Sequence, residues 1–212
     1  MRIFRKVIAA AAVAGFGLLV TSQARADFSG FYVGAQIGYG QTTVDESATV
    51  GGASYSASPD DTGFNYGGLV GYGRQFSNFY LGGELDVSWS TAETQQSGNG
   101  VTLTIEQDYT LGAALRAGYV VTPSTLIYLR AGIVQTSFDA TATDGASTVS
   151  GSETFNGFRF GVGLDYMFNA NVGMRLEYTH TNYEDKTETS GADSVSLGGD
   201  EDIVKVALTY KF

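Results

Sequence analysis

Cysteine is absent, so neither a disulfide nor a thiolate metal site can hold this chain together. Proline occurs twice in 212 residues, and charged residues make up 16%, well below the roughly 25% usual in soluble domains. The charge that is present leans acidic, with 22 Asp and Glu against 12 Lys and Arg, which excludes the basic footprint a nucleic-acid partner requires. There is one histidine, His180, so catalysis that needs an imidazole has a single candidate. Long apolar runs are also missing: the longest covers residues 7–20, short of the roughly 20 residues a helix needs to cross a bilayer. What the chain has instead is 29 glycines and 13% aromatics, a mixture that favours β-structure.

The N-terminus combines a basic start (M-R-I-F-R-K), the apolar run and A-R-A at residues 24–26. These are the three parts of a secretory signal peptide, so residues 1–26 are expected to be removed and residues 27–212 to form the mature domain. The mature part keeps eight bases against 22 acids, a net charge of −14.

Eight stretches alternate apolar with polar or small residues at period two: roughly 29–41, 63–76, 79–91, 101–121, 125–138, 154–168, 172–183 and 202–212. Tight turns at 77–78, 122–124 and 169–171 take turns with long polar connections at 42–62, 92–100, 139–153 and 184–201. Every long connection then falls at one end and both termini at the other. That pattern predicts an all-β, eight-stranded, antiparallel up-and-down transmembrane β-barrel, with periplasmic turns and extracellular loops.

A soluble lipocalin-like ligand binder is the alternative with the same strand count, and the charges discriminate between the two. On the polar face lie Glu84, Asp86, Glu106, Asp108, Asp165 and Glu177 with Arg116, Arg130, Arg159, Arg175, Lys205 and Lys211, six acids and six bases. The opposite face is apolar except for Arg74, whose length lets it snorkel beside a turn. Equal numbers of opposite charges suit a closed interior, where buried charges must be paired. Glu84, Asp86, Arg116, Arg130, Asp165, Arg175, Glu177 and Lys205 all fall in the half nearer the turns, and are expected to form a salt-bridge plug that leaves no substantial pore.

Tyr72, Tyr119 and Tyr166 precede tight turns on the apolar face, while Tyr39, Trp89 and Tyr178 lie toward the long loops, as two interfacial girdles would. The loops hold fifteen acids, including Asp200, Glu201 and Asp202, against Lys186 alone. Their acid pairs could attract divalent cations that bridge to lipopolysaccharide, although no calcium loop of defined spacing is present.

Several stretches carry a family likeness: F-S-G-F-Y-V-G-A-Q-I-G-Y-G (28–40), G-G-L-V-G-Y-G-R-Q-F (67–76), L-G-G-E-L-D-V-S-W-S (81–90), T-L-I-Y-L-R-A-G (125–132), G-F-R-F-G-V-G-L-D-Y (157–166) and V-A-L-T-Y-K-F (206–212). In order and spacing the chain resembles the RopB-like small outer-membrane proteins of alphaproteobacteria, within the OmpA-like and OmpX-like class of eight-stranded barrels. The resemblance implies an outer-membrane location, a role in envelope integrity, surface contacts with a host in some members, and no enzymatic reaction or cofactor. Its terminal aromatic, with Tyr210 and Phe212 on the outer row, resembles the signal read by the barrel-assembly machinery. A lipid A-modifying enzyme is the other alternative; it would need a nucleophile, His180 and an orienting carboxylate together, and the neighbours Thr181 and Asn182 do not reproduce the deacylase arrangement. The expected partners are outer-membrane lipid and lipopolysaccharide, and the expected state is a monomer.

Overall fold

A computed structural model describes residues 27–50, 53–57, 60–91, 93–98, 101–143, 148–190 and 193–212. The expected signal peptide lies outside the described residues. Among the described residues ten strands occur in chain order: β1 (Gly30–Val50), β2 (Ala53–Ala57), β3 (Asp60–Phe76), β4 (Phe79–Ser90), β5 (Glu93–Gly98), β6 (Val101–Thr122), β7 (Thr125–Thr143), β8 (Thr148–Met167), β9 (Val172–Ser190) and β10 (Asp193–Lys211).

Eight of these are staves. β2 pairs with the upper part of β1 and so continues β3, and β5 continues β4 along β6. Every pairing is antiparallel, and β10 closes on β1 from Tyr32↔Lys211 to Thr49↔Ser194. The sheet therefore has no open edge between its first and last strands, which is the condition for a β-structure to span a membrane.

Following one outward row around the wall makes the stagger explicit: Val33, Val70, Leu85, Ala113, Ile133, Phe158, Asn182, Asp200, Thr43. The row returns to β1 ten residues further on, so the ladder climbs a little more than one residue per stave. Strands in a barrel of this kind tilt by roughly 35–45°.

The faces sort as period-two alternation demands. Outward Leu115 and Ile37 are each 68% exposed, whereas inward Leu126 and Thr136 are 0% exposed. Large apolar side chains thus cover the outside and charged ones fill the inside, the inverse of a soluble lipocalin-like barrel.

Two local features depart from the sequence reading. The long polar connections were expected as loops, yet residues 42–50, 139–143, 148–153 and 184–190 continue the staves as paired hairpin arms. Their Thr, Ser and Val content supports pairing as readily as it supports polarity. Second, Asp108 is exposed rather than inward: a bulge between Gln107 and Tyr109 inserts an extra residue, so Gln107 points in and alternation restarts at Tyr109. Glu106 has its side chain outside the described residues.

Candidate functional site

The barrel interior is built in tiers. At the turn end Phe28, Tyr80, Val120, Leu126, Tyr128 and Met167 form a buried apolar floor. Directly above, Arg116 and Arg175 are set among aromatic rings, with the Arg116 guanidinium 3.7 Å from the Tyr128 ring centroid and Arg175 5.6 Å from that of Tyr32. Cation–π contact of this kind lets a guanidinium remain charged away from water.

The lower charge network is continuous. Arg116 Nη2 donates to Asp165 at 2.6 Å, and Arg175 donates from Nε to Asp165 at 2.8 Å and from Nη1 to Glu84 at 2.6 Å. Glu84 is the hub: it also accepts from Tyr32 Oη at 2.8 Å and lies 3.5 Å from Arg130. Arg130 in turn donates to Glu177 at 3.0 Å and to Asp86, while Tyr128 Oη donates to Glu177 at 2.7 Å. Seven of the eight residues expected in the plug are joined in this way.

Lys205 is the exception. It is buried among the others, opposite Gly38 and Glu177 in the ladder, but Nζ has no hydrogen-bond partner among the described residues. Asp86 Oδ2, Arg159 Nη1, Gln36 Nε2 and Thr179 Oγ1 likewise have no hydrogen-bond partner among the described residues, although the first two approach each other at 3.6 Å, and Glu84 Oε1, Arg116 Nε and Arg130 Nε lack one inside the lower network. Around Lys205 the hydrogen bonding thins, and two networks can be told apart there.

Above Lys205 sits an upper tier that the sequence reading missed. Arg159 donates to Glu201 at 3.0 Å and to Thr181 at 2.8 Å, and Thr110, Thr136 and Tyr183 link hydroxyl to hydroxyl at 2.9 and 3.2 Å. Glu201, which the sequence groups with the loop acids, is 2% exposed and belongs to the lumen. Among the described residues, the 3.6 Å approach of Arg159 to Asp86 is the ionic bridge to the lower network. Among the described residues the lumen holds Glu84, Asp86, Asp165, Glu177 and Glu201 against Arg116, Arg130, Arg159, Arg175 and Lys205, five of each sign. Balance without exact pairing is what a low-dielectric interior tolerates, since a net buried charge would cost several kcal/mol.

On the outside, Tyr39, Tyr72, Trp89, Tyr119 and Tyr178 are exposed and Tyr166 is half-buried. Most pair with a neighbouring ring: Phe31 with Tyr72, Tyr39 with Phe64, Tyr66 with Trp89, Phe79 with Tyr119, and Tyr166 with Phe168. The belt at the turn end runs from β1 through β3, β4, β6 and β8 to Tyr210 and Phe212 beside β10. Toward the hairpin end the belt is dense on β1 to β6, with Tyr39, Phe64, Tyr66, Trp89 and Tyr109, and thins on β7 to β10 to Phe158 and Tyr178.

On β7 to β10 polar residues share that height. His180 Nδ1 and Asp202 Oδ1 are 2.9 Å apart, Tyr178 Oη donates to the same Asp202 oxygen at 2.6 Å, and Asn182 donates to Asp200 at 2.9 Å. His180 therefore has a carboxylate partner that local sequence inspection did not supply. Its Nε2 faces Asp200 at 3.9 Å rather than a hydroxyl.

The chain terminus is tied into the turn end. Phe212 N donates to Phe31 O at 2.9 Å, and Lys211 Nζ donates to Asp27 O. Asn171 clasps β10 from both sides, accepting from Lys211 N at 2.7 Å and donating from Nδ2 to Lys211 O at 2.8 Å. Gly30, at φ 121°, lets β1 begin beside this clasp, where a Cβ would stand 3.2 Å from the Phe212 carbonyl oxygen.

A closed eight-stave barrel with an apolar exterior, interfacial aromatics and a charged lumen defines an outer-membrane type of protein. The comparisons agree: residues 8–212 match the family described as "Outer membrane protein beta-barrel domain", and the chain belongs to it. A 25 kDa outer-membrane immunogenic protein of Brucella canis is 28% identical over 186 residues, covering 87% of this chain and 79% of that protein. A 22 kDa outer membrane protein of Rhizobium leguminosarum bv. viciae is 30% identical over 153 residues, covering 70% and 67%. Among solved structures, Neisserial surface protein A shares the fold with a TM-score of 0.50 at 18% identity, over 87% of this chain and 98% of that one.

Proposed function

We propose that the protein is a monomeric structural component of the outer membrane that carries no reaction and no substantial pore. The observation that supports this best is the lumen, where an apolar floor and two hydrogen-bonded networks with equal charge of both signs occupy the bore. An eight-stave barrel is just wide enough for side chains to fill it, and here they do so with guanidinium and carboxylate groups held by several strands at once. The termini then lie in the periplasm and the hairpins outside the cell.

The acidic hairpins meet lipopolysaccharide or host surfaces, with divalent cations relieving repulsion from the anionic leaflet. If so, a chelator lowers the thermal stability of the barrel in native membranes and leaves it unchanged in a zwitterionic detergent; equal stability with and without chelator in native membranes removes cation bridging. The structural role is tested in cells that lack the protein. Periplasmic leakage should be restored by the full chain and only partly by a variant with shortened hairpins, whereas cells that lack the protein and do not leak would count against it.

A further inference from the structure

The outer wall contains a groove of about 610 Å³ on the β6 to β8 side. Leu111, Ala113, Ile133 and Phe158 line it with Gln135 and Asn156, and Glu184 of β9 also touches it. Gln135 and Asn156 stand one outward position nearer the hairpins than Ile133 and Phe158, in the sector where the aromatic girdle thins. There the outward positions of four consecutive staves are Gln135 on β7, Asn156 on β8, His180 and Asn182 on β9, and Asp200 and Asp202 on β10.

Two features therefore meet at one place: a mostly apolar groove of about 610 Å³, and a strip of amides and carboxylates that continues from its own polar lining onto β9 and β10. Gln135 donates weakly to Asn156 Oδ1 at 3.4 Å, which leaves the Asn156 Nδ2 donor and the Gln135 Oε1 acceptor for an external group. A pocket that is apolar along its length with a few convergent polar groups at one end orients an amphiphile.

The polar strip also selects the kind of headgroup. Asp200, Asp202 and Glu184 give it negative charge, so a phosphate placed directly on it would be repelled. Sugar hydroxyls both donate and accept, and match a mixed row of amides and carboxylates. We propose that this sector of the wall binds an outer-leaflet glycolipid, with one acyl chain in the groove and a sugar ring against Asn156, Asn182 and Asp200. The inference uses the envelope reading only for which rim faces outward, and takes from the hairpin arms nothing beyond Glu184 at their base.

The test is native mass spectrometry of the purified barrel in a sugar-free polyoxyethylene detergent, titrated with a monoglucosyl diacylglycerol or with phosphatidylglycerol of the same chains. The wild type should retain the glucosyl lipid about tenfold more strongly, the size expected from one or two hydrogen bonds to polar or charged groups. The double substitution Asn156→Leu and Asn182→Leu should abolish that preference, and Ala113→Phe should reduce retention of the glucosyl lipid by filling the groove. All three positions point outward into lipid, and a heat-dependent shift in gel mobility verifies that each variant folds. Equal retention of the two lipids by the wild type, or an unchanged preference in the folded Leu variant, overturns the proposal. A hairpin-shortened variant that keeps the preference places the site on the wall; one that loses it overturns the wall site and leaves the hairpin reading standing.

Discussion

Glu84 is the residue on which the lower lumen network converges, and replacing it with Gln changes charge while keeping shape. Its carboxylate accepts from Tyr32 and Arg175 and lies within 3.6 Å of Arg116 and Arg130, with the residue only 4% exposed. The amide can still accept from Tyr32, but it shifts a lumen balanced at five charges of each sign to a net of +1. Leaving a buried ion pair with one partner costs about 3–5 kcal/mol. That is a large share of a total stability on the order of 5–15 kcal/mol. The measurement is equilibrium urea unfolding in micelles, followed by the fluorescence of Trp89, the single tryptophan, which stands on the outer face beside Tyr66. Because Glu84 and Arg175 share one network, the double substitution Glu84→Gln with Arg175→Gln restores neutrality and should cost at least about 1 kcal/mol less than the two single effects combined. A Glu84→Gln barrel destabilised by less than about 1 kcal/mol, or strict additivity in the double variant, would refute the reasoning.

Further predictions concern Lys205 and the seam. Lys205→Met also unbalances the lumen, to a net of −1, but Nζ has no hydrogen-bonded partner to orphan and methionine fills similar volume, so it should cost less than Glu84→Gln, about 2 kcal/mol by the same unfolding assay. Asn171→Ala removes the bond to the Lys211 carbonyl and should lower stability by about 1 kcal/mol, with slower refolding into vesicles. Deleting Phe212, whose amide pairs with Phe31 at the closing seam, should reduce surface levels more than shortening a hairpin does; immunoblots of isolated outer membranes would show the difference, and equal levels would count against it.

The barrel was legible because period-two alternation writes each stave's two faces directly into the sequence. Charges on one face and Leu, Ile, Val and Phe on the other leave one topology that satisfies both. Legibility failed where alternation was hidden or broken. In Asp200-Glu201-Asp202 three acids in a row look like a solvated loop, yet the middle one turns inward to Arg159 while its neighbours turn outward. The bulge at Gln107–Tyr109 carries neither glycine nor proline to announce it. Partner choice inside the lumen was less legible still, because it depends on the stagger of ten residues that brings distant staves to one height. Proximity in sequence could not have joined Arg175 to Glu84, 91 residues away, or shown that Lys205 is left between two networks.

The stagger also accounts for the asymmetry of the outer face. Each stave places its aromatic or polar residue at a height set by the climb of the ladder, so the dense belt on β1 to β6 and the polar sector on β7 to β10 stand level with each other despite dissimilar local sequences. A wall with two chemically different sides presents two different surfaces to the same leaflet. Its function can therefore reside partly in the wall and not only in the hairpins.

The central claim is that the lumen is shut by its own paired charges, and single-channel recording in planar bilayers tests it most directly. The purified, refolded barrel should give no sustained large conductance across a range of voltages and salt concentrations. A stable open channel in the unmodified protein would contradict the account.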